Sequence, residues 1–156
     1  MKRILTLFIL LFTAVVLCGE RETIRDAHGK IIGTATTDGN RTVYRDASGK
    51  VTGTATTSGN KTTYRDSSGR TTGTASENGN RTTFRDSSGK TTGTATTSGN
   101  RTTFREATGT PAGSSTSNGN RTTYRDAHGS IVGTSTSTGS GSSTSQTPPI
   151  LNPTSK

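Results

Sequence analysis

From Arg21 to Ser140 one twenty-residue unit is written six times with no insertion and no gap. An unbroken period of that length restricts the chain to architectures in which each copy is one supersecondary unit that completes its core only against its neighbours. Residues 81–100 show the unit: Arg-Thr-Thr-Phe-Arg-Asp-Ser-Ser-Gly-Lys-Thr-Thr-Gly-Thr-Ala-Thr-Thr-Ser-Gly-Asn. Aligned, the copies keep Gly at the ninth, thirteenth and nineteenth places, Ile or an aromatic ring at the fourth, Arg at the fifth and an acid at the sixth.

Within one copy the residue types alternate between strand formers and turn formers. Lys61-Thr62-Thr63-Tyr64-Arg65 is β-branched and aromatic, and it runs into Asp66-Ser67-Ser68-Gly69. Asp at the head of a turn bonds the backbone two residues on, and Gly at its end takes up a left-handed conformation, so this stretch predicts a hairpin. Arg70 to Ser76 predicts a second strand, and Glu77-Asn78-Gly79-Asn80 a second turn centred on an Asn-Gly pair. The fold class expected is therefore all-β, with six units forming an antiparallel hairpin meander of about twelve strands or a solenoid-like sheet.

Strand alternation assigns the faces. Thr62 and Tyr64 share one side of the first strand; Thr71, Gly73 and Ala75 share one side of the second. A ring covering Gly and Ala on its partner shields a bare strand glycine. Tyr44, Tyr64, Phe84, Phe104 and Tyr124 are thus expected to form one structural row on the apolar face. A coil with one repeat per turn would stack the fifth-place arginines about 4.8 Å apart, at a repulsion of roughly 1 kcal/mol per pair even in water. The meander doubles that spacing and is preferred. Each copy supplies one ring, worth about 1.5 to 3 kcal/mol when buried, so no copy is expected to fold alone.

Composition enters at the ends. Met1-Lys2-Arg3 followed by an apolar run from Ile4 to Leu17 has the form of a secretory signal peptide, shorter than the twenty or so apolar residues of a membrane-spanning helix. Residues 1–18 are read as that leader, 19–140 as the array and 141–156 as a flexible Ser/Thr/Pro tail. The lone cysteine, Cys18, closes the leader and resembles the lipidated cysteine of bacterial lipoproteins, although Leu17 stands where a small residue is usual. Export to the cell envelope or beyond is the expectation, with any contact to membrane made through that anchor.

Gly-Asn, then Thr-Thr-Tyr, then Asp-x-x-Gly-Lys or Arg, at Gly39–Lys50, Gly59–Arg70 and Gly79–Lys90, resembles the YD repeats of bacterial Rhs proteins. The resemblance implies long antiparallel meanders of the kind that wind into shells around secreted cargo. Arg45, Arg65 and Arg85 stand where that family has a second Tyr, and six copies are too few to enclose cargo.

Chemistry-bearing patterns are sparse. No Gly-x-Ser-x-Gly turn opens a helix, and His28 and His128, in turns a hundred residues apart, read as solvated turn residues. No catalytic, cofactor or metal residues are assigned, and a hydrolase acting on envelope polymers is disfavoured. The five Asn-x-Thr sequons, from Asn40 to Asn120, follow automatically from the repeat and read as turns. The charge of 19 Lys and Arg against 10 Asp and Glu is basic, which attracts polyanions. First- and fifth-place bases are four residues apart and fall on the same face, so Arg45, Arg65, Arg85 and Arg105 are candidate contacts for an anionic polysaccharide or lipopolysaccharide. Nucleic acid is disfavoured, since stacking needs rings in the basic groove. The function expected is a non-enzymatic structural or binding surface of the envelope. The alternatives are a self-associating, fibre-forming surface protein and, as a minor reading, an ice-binding row of Thr-x-Thr at Thr34, Thr54, Thr94 and Thr134.

Overall fold

A computed structural model describes residues 19–139. The leader with Cys18 and the tail from 141 onward lie outside the described residues. Twelve strands follow one another: β1 (Glu20–Asp26), β2 (Ile31–Asp38), β3 (Arg41–Asp46), β4 (Val51–Ser58), β5 (Lys61–Asp66), β6 (Thr71–Asn78), β7 (Arg81–Asp86), β8 (Thr91–Ser98), β9 (Arg101–Glu106), β10 (Pro111–Asn118), β11 (Arg121–Arg125) and β12 (Ile131–Thr138). Each pairs antiparallel with its chain neighbours, as the meander expectation has it. The sheet does not stay open, and the solenoid-like alternative is overturned: β12 returns to pair with β1, and the meander closes into a barrel.

Closure follows from periodicity. Ser135 opposes Ile24 and Thr138 opposes Arg21 at the seam, the same register in which Ala35 opposes Tyr44 and Asp38 opposes Arg41 between β2 and β3. The last strand therefore finds in the first the partner that every internal strand has, and both sheet edges are consumed. Followed along the ladder, Arg41 leads through Thr56, Thr63 and Thr74 to Arg85, an advance of two places per repeat. Six repeats give a stagger of twelve for twelve strands, which sets a tilt of about 35° and a Cα radius of about 11 Å from the ordinary strand spacings. Eight strands make a barrel that side chains just fill; twelve leave room inside.

Opposed residues share a face, so the pairing fixes what points in. Tyr64 opposes Ala55 on one side and Gly73 on the other, and Thr62 opposes Ala75. The fourth-place rings, with the Ala and Gly of the neighbouring strands, line the interior as expected, and Ile24 completes the belt. Ala35, Ala55, Ala75, Ala95, Phe104 and Tyr124 are buried, while Tyr44, Tyr64 and Phe84 are only half-buried although they point inward.

One face assignment is corrected. A bulge at Thr72 makes Thr71 oppose Arg65 while Gly73 opposes Tyr64, so Thr71 belongs to the outer face. In the adjoining hairpin Arg85 shows the same sharing directly, donating from Nη1 to Thr91 Oγ1 at 3.0 Å. Where β6 leaves the bulge, the Arg85 carbonyl oxygen lies 2.4 Å from where a Cβ on Gly73 would be. No side chain fits there, which is a stronger reason for the thirteenth-place glycine than shielding by a ring.

The two turns differ in kind. At Asp66 the backbone closes a three-residue loop, with Gly69 N donating to Asp66 O at 3.0 Å and Gly69 at φ 83°; this is a type I turn followed by a left-handed residue. The other turn is shorter than the sequence suggests. Asn78 and Arg81 are still paired in the ladder, so the central residues are Gly79 and Asn80 in place of Asn78 and Gly79. Gly79 takes φ 59° and, among the described residues, none other than Gly has positive φ, the pattern of a II′ turn.

Candidate functional site

Three surfaces carry the polar chemistry. The first is the outer wall. Arg41, Arg45, Lys61, Arg65, Arg81, Arg85, Arg101 and Arg105 are all exposed on it. Closure turns their expected line into a ring. Each fifth-place arginine also holds its own hairpin: Nη1 of Arg25, Arg45, Arg65, Arg85, Arg105 and Arg125 donates to the carbonyl of the ninth-place Gly at 2.8–3.1 Å. That uses one of the five N–H donors of a guanidinium and holds the head near the rim.

The second surface is that rim, made of the Asp turns. Asp46 Oδ1 accepts from Ser48 N, Ser48 Oγ and Lys50 N at 2.9, 2.6 and 3.0 Å, and Asp66 and Asp86 repeat the set. The serine hydroxyl bond, the backbone amides and the tenth-place base hold these three carboxyls below their ordinary range. The sequence reading passed over the tenth-place bases Lys30, Lys50, Arg70 and Lys90, which the closed barrel sets in four successive turns; Thr110 and Ser130 interrupt the arc. Next to that interruption a cavity of about 470 Å³ opens, bordered by Phe104, Glu106, Gly113, Tyr124, Asp126 and His128 among others. His28 and His128, far apart in sequence, fall in neighbouring turns on either side of the seam; both are exposed, and each backbone N–H donates to the Asp of its own turn. Among the described residues no group of three or more metal-binding side chains comes together.

The sequon asparagines lie at the opposite rim. Asn40, Asn60, Asn100 and Asn120 each donate from Nδ2 to a carbonyl of the next repeat at 2.9–3.2 Å, tying successive hairpins.

The third surface is the interior, and there the sequence reading missed Glu22. Five copies carry Thr at the second place; the first carries Glu. Opposed by Ala35 and Ser137, Glu22 points inward. Burial raises its carboxyl above the ordinary range, a bond from Ser135 opposes the shift, and Glu20 adds to it. Tyr124 Oη lies 3.3 Å from Ser135 Oγ, buried, and burial first, then the Glu22 charge, push the Tyr124 phenol up to about 12. Tyr44 is raised likewise, by burial and then by Tyr64, Glu22 and Tyr124. The only signal for this cluster in the sequence is a departure from the consensus at a place whose inward direction is known once the faces are assigned.

No protein-family model matches the chain, and no curated protein matches it either. The likeness to YD repeats therefore rests on the motif residues alone.

Proposed function

We propose that the protein is an exported envelope component, lipid-anchored at Cys18 or released, whose barrel is a non-enzymatic binding body for anionic polymers such as acidic polysaccharide or lipopolysaccharide. The observation that supports this reading is the sorting of bases: every first- and fifth-place Lys or Arg faces outward, and the rings face in. A barrel that crosses a bilayer turns its apolar side outward, and this wall is mostly Arg, Lys and Thr, with Ile31, Val43, Val51 and Ile131 among them. The polymer would meet a ring of charges about 10 Å apart, two strand spacings per repeat, and many weak contacts of that kind give salt-sensitive binding.

The experiment is retention on a sulfated or phosphorylated polymer column. Replacing Arg45, Arg65, Arg85 and Arg105 by Gln removes roughly 1 kcal/mol of attraction per charge at low salt and flattens the salt dependence; replacing the same four by Lys restores most of it. Equal retention of wild type and the Gln variant sinks the reading. Fibre formation fits less well, because it needs the two edges that β1 and β12 consume in each other. The Thr-x-Thr rows wrap a curved wall with Arg45 opposed to Thr34, a poor match to a planar ice lattice.

A further inference from the structure

The barrel wall keeps its strand bases on the outer side. Among the described residues the inward-facing strand places hold Glu20, Glu22 and Glu77, opposed by Thr37, Ala35 and Thr82, and the sixth-place acids, which oppose the interior glycines as Asp46 does Gly33 and Asp66 does Gly53, but no Lys or Arg. Glu20, Glu22 and Glu77 lie toward the rim of the Asn turns, and the sixth-place acids at the Asp-turn rim. Beyond the three glutamates comes the ring belt, where Tyr44, Tyr64 and Phe84 stay half-buried because the space they face is open to solvent. The cavity at the opposite rim reaches Phe104 and Tyr124 from the other side. A basic protein thus encloses a space lined by carboxylates and aromatic faces. Rings lent by several strands around a small space attract a cation through their quadrupoles, best when it is poorly hydrated. A hard metal ion would ask for more oxygen ligands in one place than this interior supplies.

We propose that the barrel interior binds an organic ammonium ion, its charge set against the Glu22 carboxylate and its alkyl groups against the faces of Tyr44, Tyr64 and Tyr124. Ser135 lies 3.3 Å from the Tyr124 hydroxyl and favours the ionised Glu22 carboxylate. Around Glu22 the titratable groups are Glu20 on its own strand, Tyr44 on β3 and Tyr124 on β11; the phenols stay neutral, and the Glu22 carboxyl, raised by burial, is the group that answers to pH. A bound cation favours ionised Glu22, and affinity rises as pH climbs through the titration of that carboxyl.

The site is distinct from the outer wall, and its test is separate. Calorimetric titration of the mature chain with choline and with its uncharged isostere dimethylbutanol reads the preference for positive charge. The wild type should bind choline roughly tenfold or more tightly than the isostere. Glu22→Gln and Glu22→Thr, the second restoring the residue of the other five copies, should abolish the preference and its pH dependence while the β circular dichroism persists. Tyr44→Leu should weaken choline severalfold, and retention on the anionic column should be unchanged in all three variants. Equal affinity for choline and isostere, absence of saturable binding by either, or unaltered choline binding in Glu22→Gln would overturn the proposal.

Discussion

Gly73 and Glu22 show what a single place in the repeat decides. Gly73 sits where the Arg85 carbonyl oxygen occupies the volume of a Cβ, so Gly73→Ala must push two backbones apart and is expected to cost roughly 1 to 3 kcal/mol, read as a lower urea midpoint. Its constancy was legible in the sequence, but the reason was not, because the close approach arises from a bulge that no residue type announces. Glu22 has a carboxyl raised by burial, so its contribution to stability is full below the unfolded value near 4.3 and is lost as pH rises through the folded value. Glu22→Thr should therefore melt above wild type at pH 8, and the gap should close as pH falls toward 4. A gap independent of pH would show that Glu22 is not buried in the closed barrel. The consensus break at Glu22 was visible in the sequence; its consequence required an inside for it to face.

The hairpins were the most legible elements. Alternating Thr and aromatic runs, Asp at the sixth place and Gly at the ninth located all twelve strands, because turn chemistry is local and does not wait for tertiary context. What was misjudged lay one residue away from a correct assignment: the turn frame at Gly79-Asn80, and the side taken by Thr71 after the bulge. Both depend on pairing, which one strand's sequence does not contain. The Asp turns carry their own pH signature. Asp46, Asp66 and Asp86 are held below the ordinary carboxylate range, so their contribution is present above the unfolded value of about 3.9 and disappears as pH falls through the lower folded values. Replacing all three by Asn should lower the melting temperature at pH 7 and leave a smaller difference from wild type near pH 2. If the deficit is as large at the acid end, the carboxylates are not what holds these turns.

For the whole molecule, periodicity announced an array but not that its ends meet. Whether twelve strands remain open or close depends on stagger and tilt, properties of the accumulated register. The inward and outward sorting of charge, on which both binding proposals rest, depends on that closure. Seam pairing is the central claim, and it is tested by placing cysteines at Thr23 and Thr136, which oppose each other across β1 and β12, in a chain with Cys18 replaced by Ser. Opposed residues of antiparallel strands have Cα atoms about 4.5 to 5.5 Å apart, within the range a disulfide spans. Under mild oxidation at low micromolar concentration the account predicts near-complete formation of an intramolecular disulfide in the monomer, and none for Thr23 paired with a cysteine at Thr74 across the barrel. Free thiols, or cross-links that appear only between molecules and grow with concentration, would contradict it.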